Sequence, residues 1–263
     1  MSLVAGRLVV VRGAGDLGTG CVVRLVRAGF RVVALEMAHP FAIRRTVSLS
    51  EAMYDGSARV EGVGAFRCLE LPEEWAGDQV PILEDPECRV LGRISPVALV
   101  DAIVAKRNLG TRLDMAPVVV ALGPGFEAGR DAHAVVEPNR GHDLGRVILS
   151  GCAEPNTGLP GLIAGQGPGR VVHAPVAGVA ETIRAIGDTV EAGEPLLSIG
   201  GTLVPAAIGG VVRGLIRHGF EVPARLKVAD VDPRCVKEHC FTVSDKSRAV
   251  AGGVLEAILA LAP

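Results

Sequence analysis

The residues with the clearest chemical meaning are the glycines of the segment Gly13-Ala14-Gly15-Asp16-Leu17-Gly18. In a turn between a strand and a helix, the first glycine of such a motif permits a tight bend and the second lets the backbone approach a pyrophosphate. The third lets the helix pack closely on the strand, and the N-terminus of that helix attracts the anion. The spacing therefore predicts that this segment binds the phosphates of a dinucleotide.

The elements around this segment fit that prediction. The apolar run Leu8-Val9-Val10-Val11 predicts a buried strand before it, and apolar residues at helical spacing predict a helix over residues 17–28 after it. A second apolar run ends at Glu36, 21 residues beyond Gly15. An acidic residue at this point accepts a hydrogen bond from an adenosine ribose in dinucleotide-binding folds. The order of elements thus predicts a Rossmann-like parallel sheet.

Two further groups are candidates for the same site. Arg44 and Arg45 follow the second strand and either contact phosphate or cover the protein surface, since guanidinium groups serve both purposes. Gly123-Pro124-Gly125 follows the apolar run of residues 118–122, at the strand end where open α/β sheets collect ligands, although a plain turn is an equal alternative. The predicted cofactor-binding residues are therefore Arg12, Gly13, Gly15, Asp16, Gly18, Glu36, Arg44, Arg45, Gly123 and Gly125.

The sequence identifies no catalytic residue and predicts no metal site. Tyr54, the single tyrosine, lacks a lysine four residues later, and the histidines form no recognisable pair. The segment from Cys235 to Cys240 contains His239 but lacks a fourth ligand at zinc spacing. Cys152 lies in a glycine-rich loop, where it is either a small buried thiol or a sulfur carrier.

Composition restricts the class of protein. Of the 263 residues, 49% are hydrophobic, so the chain can bury a large core, while no apolar stretch is long enough to span a membrane. A formal net charge of −2 and 3% aromatic residues argue against nucleic-acid binding. Six scattered cysteines do not form a disulfide scaffold. We therefore expect a cytoplasmic protein that binds neither membranes nor nucleic acid.

The second half of the chain contains an internal repeat with an offset of 32 residues. Gly178 corresponds to Gly210, Gly187 to Gly219, and flanking valines correspond likewise. This pattern resembles the half-motif of biotinyl and lipoyl carrier domains, which predicts a barrel-sandwich β module. The turn between the two halves, residues 198–203, contains no lysine, which argues against a swinging-arm role.

These patterns predict an α/β protein with three regions. Residues 1–165 form a Rossmann-like nucleotide-binding domain, residues 166–232 a β-rich barrel-sandwich module, and residues 233–263 a C-terminal segment that packs back on the first domain. Ser95-Pro96 and an apolar stripe predict a helix as far as residue 106. Ser244 predicts the cap of a last helix over residues 247–261, in which Gly252-Gly253 indicates close packing.

Several segments together resemble an accessory family of selenium-dependent molybdenum hydroxylases, which is related to the maturation factors of xanthine and CO dehydrogenases. The resemblance covers nearly the whole chain. The segments that carry it are residues 11–20, 35–36, 40–48, 121–126, 154–158, 230–234 and 244–246.

This resemblance implies a maturation factor that handles molybdenum cofactor for modification or insertion. The implied partner is a molybdenum hydroxylase apoenzyme or a cofactor-handling protein. A homo-oligomer is a further hypothesis, and the sequence does not fix the oligomeric state. Because NAD(P) and a molybdopterin-type dinucleotide both carry pyrophosphate, the motif does not choose between them. The alternatives are an NAD(P)-dependent oxidoreductase acting on a small metabolite and a nucleotide-sensing scaffold.

Overall fold

A computed structural model describes residues 6–159 and 161–262 and divides them into two compact units. Unit 1 comprises residues 6–40, 48–157 and 243–262. Unit 2 comprises residues 41–47 together with the described residues of 158–242. The chain therefore enters unit 2 twice and returns to unit 1 each time.

Unit 1 is built on a nine-stranded sheet in the order β10-β9-β7-β6-β1-β2-β5-β4-β3. Neighbouring strands from β9 to β4 run parallel, while β10 and β3 pair antiparallel at the two edges. A separate ribbon pairs β8 with β11. The strands are β1 (Leu8–Arg12), β2 (Arg31–Glu36), β3 (Ser57–Val60), β4 (Val63–Cys68), β5 (Gln79–Glu84), β6 (Ala98–Asp101), β7 (Val118–Leu122), β8 (Glu127–Ala128), β9 (Ala134–Val136), β10 (Val147–Ile148) and β11 (Gly151–Cys152).

Two helices, α1 (Asp16–Ala28) and α3 (Asp245–Leu261), pack against each other in unit 1, and α2 (Ala52–Asp55) is a single turn. Gly20 allows the close approach, because a Cβ at this position would collide with the Ser247 side chain. The prediction of helix 17–28 is confirmed within one residue. The cap of the last helix is also confirmed, since the Ser244 side chain accepts a hydrogen bond from the Ser247 N–H.

Unit 2 consists of two four-stranded antiparallel sheets, in the orders β12-β19-β17-β14 and β16-β15-β13-β18. The repeated glycines share backbone geometry, with φ of 155° at Gly178 and 157° at Gly210. The strands are β12 (Val171–His173), β13 (Gly178–Thr182), β14 (Thr189–Val190), β15 (Pro195–Ile199), β16 (Thr202–Pro205), β17 (Gly210–Leu215), β18 (Glu221–Val222) and β19 (Lys227–Asp232).

The predicted fold class is wrong. A Rossmann-like, doubly wound domain carries helices on both faces of its sheet, whereas the described part of unit 1 has only α1 and α3 longer than one turn. A loop around Trp75 and a short 3-10 helix that contains Val90 pack on the apolar cluster of one sheet face instead. The chain is a mixed α/β protein with many strands and few helices.

Unit 2 also departs from the predicted biotinyl/lipoyl-like, barrel-sandwich module. It recruits residues 41–47 from far upstream, where the Ile43 carbonyl accepts a hydrogen bond from the Leu215 N–H at 2.7 Å. The Ile43 side chain packs against the same apolar core. The repeat of residues 172–224 therefore does not close a unit by itself.

Candidate functional site

The candidate site lies where the strand order of unit 1 diverges from the chain order. From β1 the chain moves to β2 on one side, and after β5 it returns to β6 on the other side of β1. In open parallel sheets, the loops at such a point leave a crevice outside the carboxyl ends of the strands, where ligands bind. The Gly13–Gly18 turn and the loop after β6 lie at this edge.

The three glycines of the turn are required for different reasons. Gly13 has a φ of 95°, and an added Cβ would lie 3.0 Å from the Ala102 carbonyl carbon. At Gly18, a Cβ would collide with the carbonyl group of Gly13. Gly15 has an ordinary φ of −69°, and a Cβ would meet no described atom within 4 Å. Packing thus explains Gly13 and Gly18, while Gly15 borders open space.

Helix α1 begins directly at this open space. Gly15 is its N-cap residue and offers no capping side chain, and Asp16 stands in the first turn. The Asp16 carbonyl accepts a hydrogen bond from the Ser247 hydroxyl at 3.0 Å, which ties the turn to α3. The N-terminus of a helix of this length attracts anions through its N–H groups and its macrodipole.

Glu36 lies beside the turn, and its carboxylate faces the turn backbone. Its two oxygens accept hydrogen bonds from the N–H groups of Ala14, at 2.8 Å, and Met37, at 2.9 Å. Burial raises the pKa of the Glu36 carboxyl, and the two N–H groups oppose that rise. Glu36 therefore holds the glycine turn in place at the position predicted to contact a ribose.

Arg12 is buried and makes five hydrogen bonds within the protein. Its guanidinium donates to Asp101 at 3.2 Å, to the Thr111 hydroxyl at 2.9 Å, to the Leu109 carbonyl at 2.9 Å, and twice to the Pro86 carbonyl. Because a guanidinium has five N–H donors, none remains for a phosphate in this arrangement. Arg12 connects the end of β1 to two loops.

The second glycine turn supports the loop that follows β6. Gly125 has a φ of 104°, and a Cβ at this position would lie 2.5 Å from the Arg107 backbone nitrogen. Gly123 is close to the Ala153 side chain. Within the supported loop, Val104 and Lys106 adopt positive φ angles of 57° and 62°, which is strained for residues other than glycine.

Sequence analysis missed Lys106 and Arg107 as candidates. Both side chains are exposed on the loop after β6, which faces the same crevice edge as Gly13. The helix predicted as far as residue 106 concealed this loop, because the segment instead forms β6 and then leaves the sheet. The fully buried run Ala-Leu-Val-Asp of β6 was the available signal, since four consecutive buried residues are typical of a central strand.

Arg44 and Arg45 belong to unit 2, where each contacts backbone of that unit. The Arg44 guanidinium donates to the carbonyl groups of His239, at 3.0 Å, and Thr242, at 3.2 Å. The Arg45 Nε donates to the Leu215 carbonyl at 2.9 Å. Eight of the ten predicted residues therefore lie in unit 1 and two lie in unit 2.

Other reactive side chains form no recognisable centre. Among the described residues, no group of three or more His, Cys, Asp or Glu side chains is arranged to hold a metal ion. Burial raises the pKa of the Cys21 thiol to about 12, whereas Cys152 is exposed. Within the described ranges, no helix combines the length and apolar character that a bilayer crossing requires.

Comparison with known proteins identifies one curated relative. The chain is 48% identical over 258 residues to the uncharacterized protein YqeB of Escherichia coli strain K12, which covers 97% of this chain. This chain is a relative of YqeB. It spans about half of the length of YqeB, 48%. No protein-family model matches the chain. The name of YqeB carries no molybdenum-hydroxylase role, so the resemblance to that accessory family stays a prediction.

A comparison with solved structures finds chains with other names, at low identity and low TM-scores. They include the ectoine utilization protein EutE (DoeB) from Ruegeria pomeroyi, with 12% identity, 86% of this chain and 85% of that chain covered, and a TM-score of 0.28. A succinylglutamate desuccinylase/aspartoacylase from Rhodobacter sphaeroides has 14% identity, coverages of 87% and 86%, and a TM-score of 0.28. An aspartoacylase family protein from Mesorhizobium loti has 12% identity, coverages of 86% and 85%, and a TM-score of 0.29.

These neighbours contradict the function predicted from the sequence. Two of the three carry aspartoacylase or succinylglutamate desuccinylase names, and none of the three names matches the predicted maturation-factor role or its alternatives, the NAD(P)-dependent oxidoreductase and the nucleotide-sensing scaffold. At TM-scores below 0.3, however, the likeness does not assign their activity to this chain.

Proposed function

We propose that the chain binds a small molecule that carries phosphate or pyrophosphate, at the carboxyl ends of β1 and β6. The observation that carries the proposal is the open space at Gly15. Gly15 has an ordinary φ, and a Cβ there would meet no described atom within 4 Å, so the fold does not require a glycine at this position. By contrast, packing requires the glycines on either side of it, Gly13 and Gly18. A phosphate that approaches the backbone at the start of α1 explains it.

The charges around the crevice support an anionic ligand. The N-terminus of α1 supplies a partial positive charge, and the exposed Lys106 and Arg107 stand on the adjoining loop. The proposed ligands are NAD(P) or a molybdopterin-type dinucleotide, because each carries a pyrophosphate. A molybdenum hydroxylase or cofactor-handling partner, a homo-oligomeric state and a cytoplasmic location stay predictions.

Thermal unfolding of the purified protein tests the proposal. The probes are NAD, NADP, molybdopterin cytosine dinucleotide and inorganic pyrophosphate, each titrated separately. A ligand at 100 times its Kd adds about 2.7 kcal/mol to the free energy of unfolding, which raises the melting temperature by several degrees. If none of the four compounds raises it at millimolar concentration, the proposal fails.

A pair of glycine variants locates the site. Gly15→Val adds a side chain to open space at an ordinary φ but puts a poorer residue at the N-cap of α1, so we expect a melting temperature lowered by a few degrees at most without ligand and the loss of stabilisation by ligand. Gly77→Val is the matched control, because a Cβ there also meets no described atom within 4 Å and the residue precedes β5, at the opposite edge of the parallel strands from the carboxyl end of β1. Equal stabilisation of both variants by ligand would remove the site from Gly15.

A further inference from the structure

A second surface of unit 1 has the features of a protein-docking groove. The groove has a volume of about 410 Å³ and runs between α1 and α3. Its floor is apolar, with Val23, Val243 and Leu255, and the exposed arginines Arg24 and Arg27 contribute to its rim. It lies along the helices rather than at the glycine turn, so it is independent of the proposed ligand site.

The rim of this groove contains three arginines. Arg27 and Arg248 both pair with Glu61, at 3.1 Å and 2.5 Å, and Arg24 donates to the Arg248 carbonyl at 3.2 Å. Among the described residues, Glu61 is the one carboxylate within ion-pair distance of these three guanidinium groups. Glu61 itself is held by the Val243 N–H at 3.0 Å. Glu61 therefore holds two of the arginines, the Arg248 carbonyl holds the third, and the three together carry more positive charge than Glu61 balances.

Gly252 marks the helix face that borders the groove. It lies four residues after Arg248 and three residues before Leu255, which places all three on one face of α3. A Cβ at Gly252 would meet no described atom within 4 Å, whereas the neighbouring Gly253 packs against the Gly145 carbonyl. A glycine inside a helix lowers the stability of the helix by about 1 kcal/mol relative to alanine. The packing of the described residues does not explain why position 252 is a glycine.

We propose that this groove binds an acidic, amphipathic segment of another protein. Its carboxylates would face the arginine rim, because planar guanidinium groups bind carboxylates in a defined geometry. Its apolar side chains would cover Leu255 and Leu259, of which the latter is 53% exposed. Its backbone would pass over Gly252, where the missing side chain permits close approach. Charge complementarity selects an acidic partner over a neutral or basic one.

Fluorescence polarization with a defined peptide tests this inference. The probe is a fluorescein-labelled helical peptide of Leu, Ala and Glu with its leucines on one face, and the control peptide has Lys in place of each Glu. We expect the acidic peptide to bind the full chain with an affinity that falls as salt rises, and the basic peptide not to bind. Failure of the acidic peptide to bind at low salt, or equal binding of both, would overturn the inference.

Two variants and a control assign the binding to the groove. Arg24→Glu and Gly252→Gln should each weaken binding of the acidic peptide about tenfold or more. Arg24→Glu acts by like-charge repulsion, and Gly252→Gln acts because its side chain occupies the space through which the peptide backbone passes. Arg93→Glu, an equal change of charge on an exposed residue outside the groove, should leave binding unchanged. Thermal melts of all three variants report whether they are folded.

Self-association is the competing outcome. Sedimentation of the wild type and of Arg24→Glu at several concentrations separates it from binding to an acidic partner. A monomeric wild type that binds the acidic peptide supports the proposal. A wild-type dimer that dissociates in Arg24→Glu would mean that a second copy of the chain occupies the groove, and the proposal would be wrong.

Discussion

The buried guanidinium of Arg12 holds the end of β1 to two loops through five hydrogen bonds. Replacing it with the apolar Met removes five hydrogen bonds and leaves the buried Asp101 carboxylate without its cation. We expect Arg12→Met to lower the free energy of unfolding by about 3–5 kcal/mol. Urea unfolding measures this loss.

The double variant Arg12→Met/Asp101→Leu serves as the control for this prediction. It removes the uncompensated charge, so part of the lost stability should return. If Arg12→Met alone unfolds at the wild-type urea concentration, the hydrogen bonds of Arg12 do not stabilise the fold.

Glu36 makes stability depend on pH in an unusual direction. Because burial raises its pKa above the ordinary value near 4.5, the folded protein binds a proton more tightly here than the unfolded chain does. The contribution of Glu36 to the free energy of unfolding therefore falls as pH rises from the ordinary value to the folded-state value, and stays lower above that. In Glu36→Gln this contribution is absent.

Urea unfolding of wild type and Glu36→Gln between about pH 4 and about pH 8 measures the effect. We expect the stability of the variant relative to wild type to increase with pH within this range. A hydrogen bond lost in the variant shifts the difference in free energy of unfolding between variant and wild type by the same amount at every pH. A difference that does not change with pH would show that Glu36 titrates as it does in the unfolded chain.

Residue types were easier to predict than residue partners. The glycine spacing and the acid at Glu36 are visible in a short window of sequence. By contrast, Arg12 finds its acceptors 74 to 99 positions away, where no local pattern records them. The same limit applies to Gly18. A glycine is required there because a Cβ would collide with the Gly13 carbonyl, a contact that the local sequence does not show.

At the scale of elements, local patterns located α1, β1 and β2 but failed at β6. An apolar stripe with Ser95-Pro96 before it fits a helix as well as a short buried strand, since periodicity does not separate the two in short runs. Pairing decided the outcome: β6 lies between β1 and β7, where every residue from Ala98 to Asp101 is buried. The missed basic loop followed from this error.

Helix α3 provides a prediction on its two adjacent glycines. Gly252→Ala adds a methyl group to open space and should raise the free energy of unfolding by about 1 kcal/mol. Gly253→Ala places the same group against the Gly145 carbonyl and should lower it. Thermal or urea unfolding of both variants measures the difference, and equal shifts in the same direction would contradict the packing described for α3.

At the scale of the whole molecule, unit 1 draws its residues from three separate parts of the chain. Its sheet is formed by residues before position 158, while α3 follows unit 2 in the sequence. The side chains of Val250, Val254 and Ile258 are fully buried, so α3 is part of the core of unit 1. The domain boundaries predicted at residues 165 and 232 left residues 41–47 in the first domain, whereas these residues belong to unit 2.

A variant that ends after Thr242 tests this dependence. Without α3, the apolar face of α1 loses its cover, and we expect unit 1 to lose its cooperative melting transition. Circular dichroism melts of the shortened and full chains measure this loss, and adding the missing helix as a separate peptide is the control. A shortened chain that melts as the full chain does would show that α3 is dispensable.

The late position of α3 also sets an order of events on the ribosome. All strands of unit 1 emerge before residues 158–242 of unit 2 are made, yet the helix that covers α1 emerges only after them. Domains usually fold as units during synthesis, from the N-terminus onward. Here the growing chain holds a finished sheet with exposed apolar surface while about 85 residues of unit 2 are translated, an interval of seconds at typical elongation rates. We therefore expect chaperone dependence during synthesis that a refolding experiment on the full chain would not reveal.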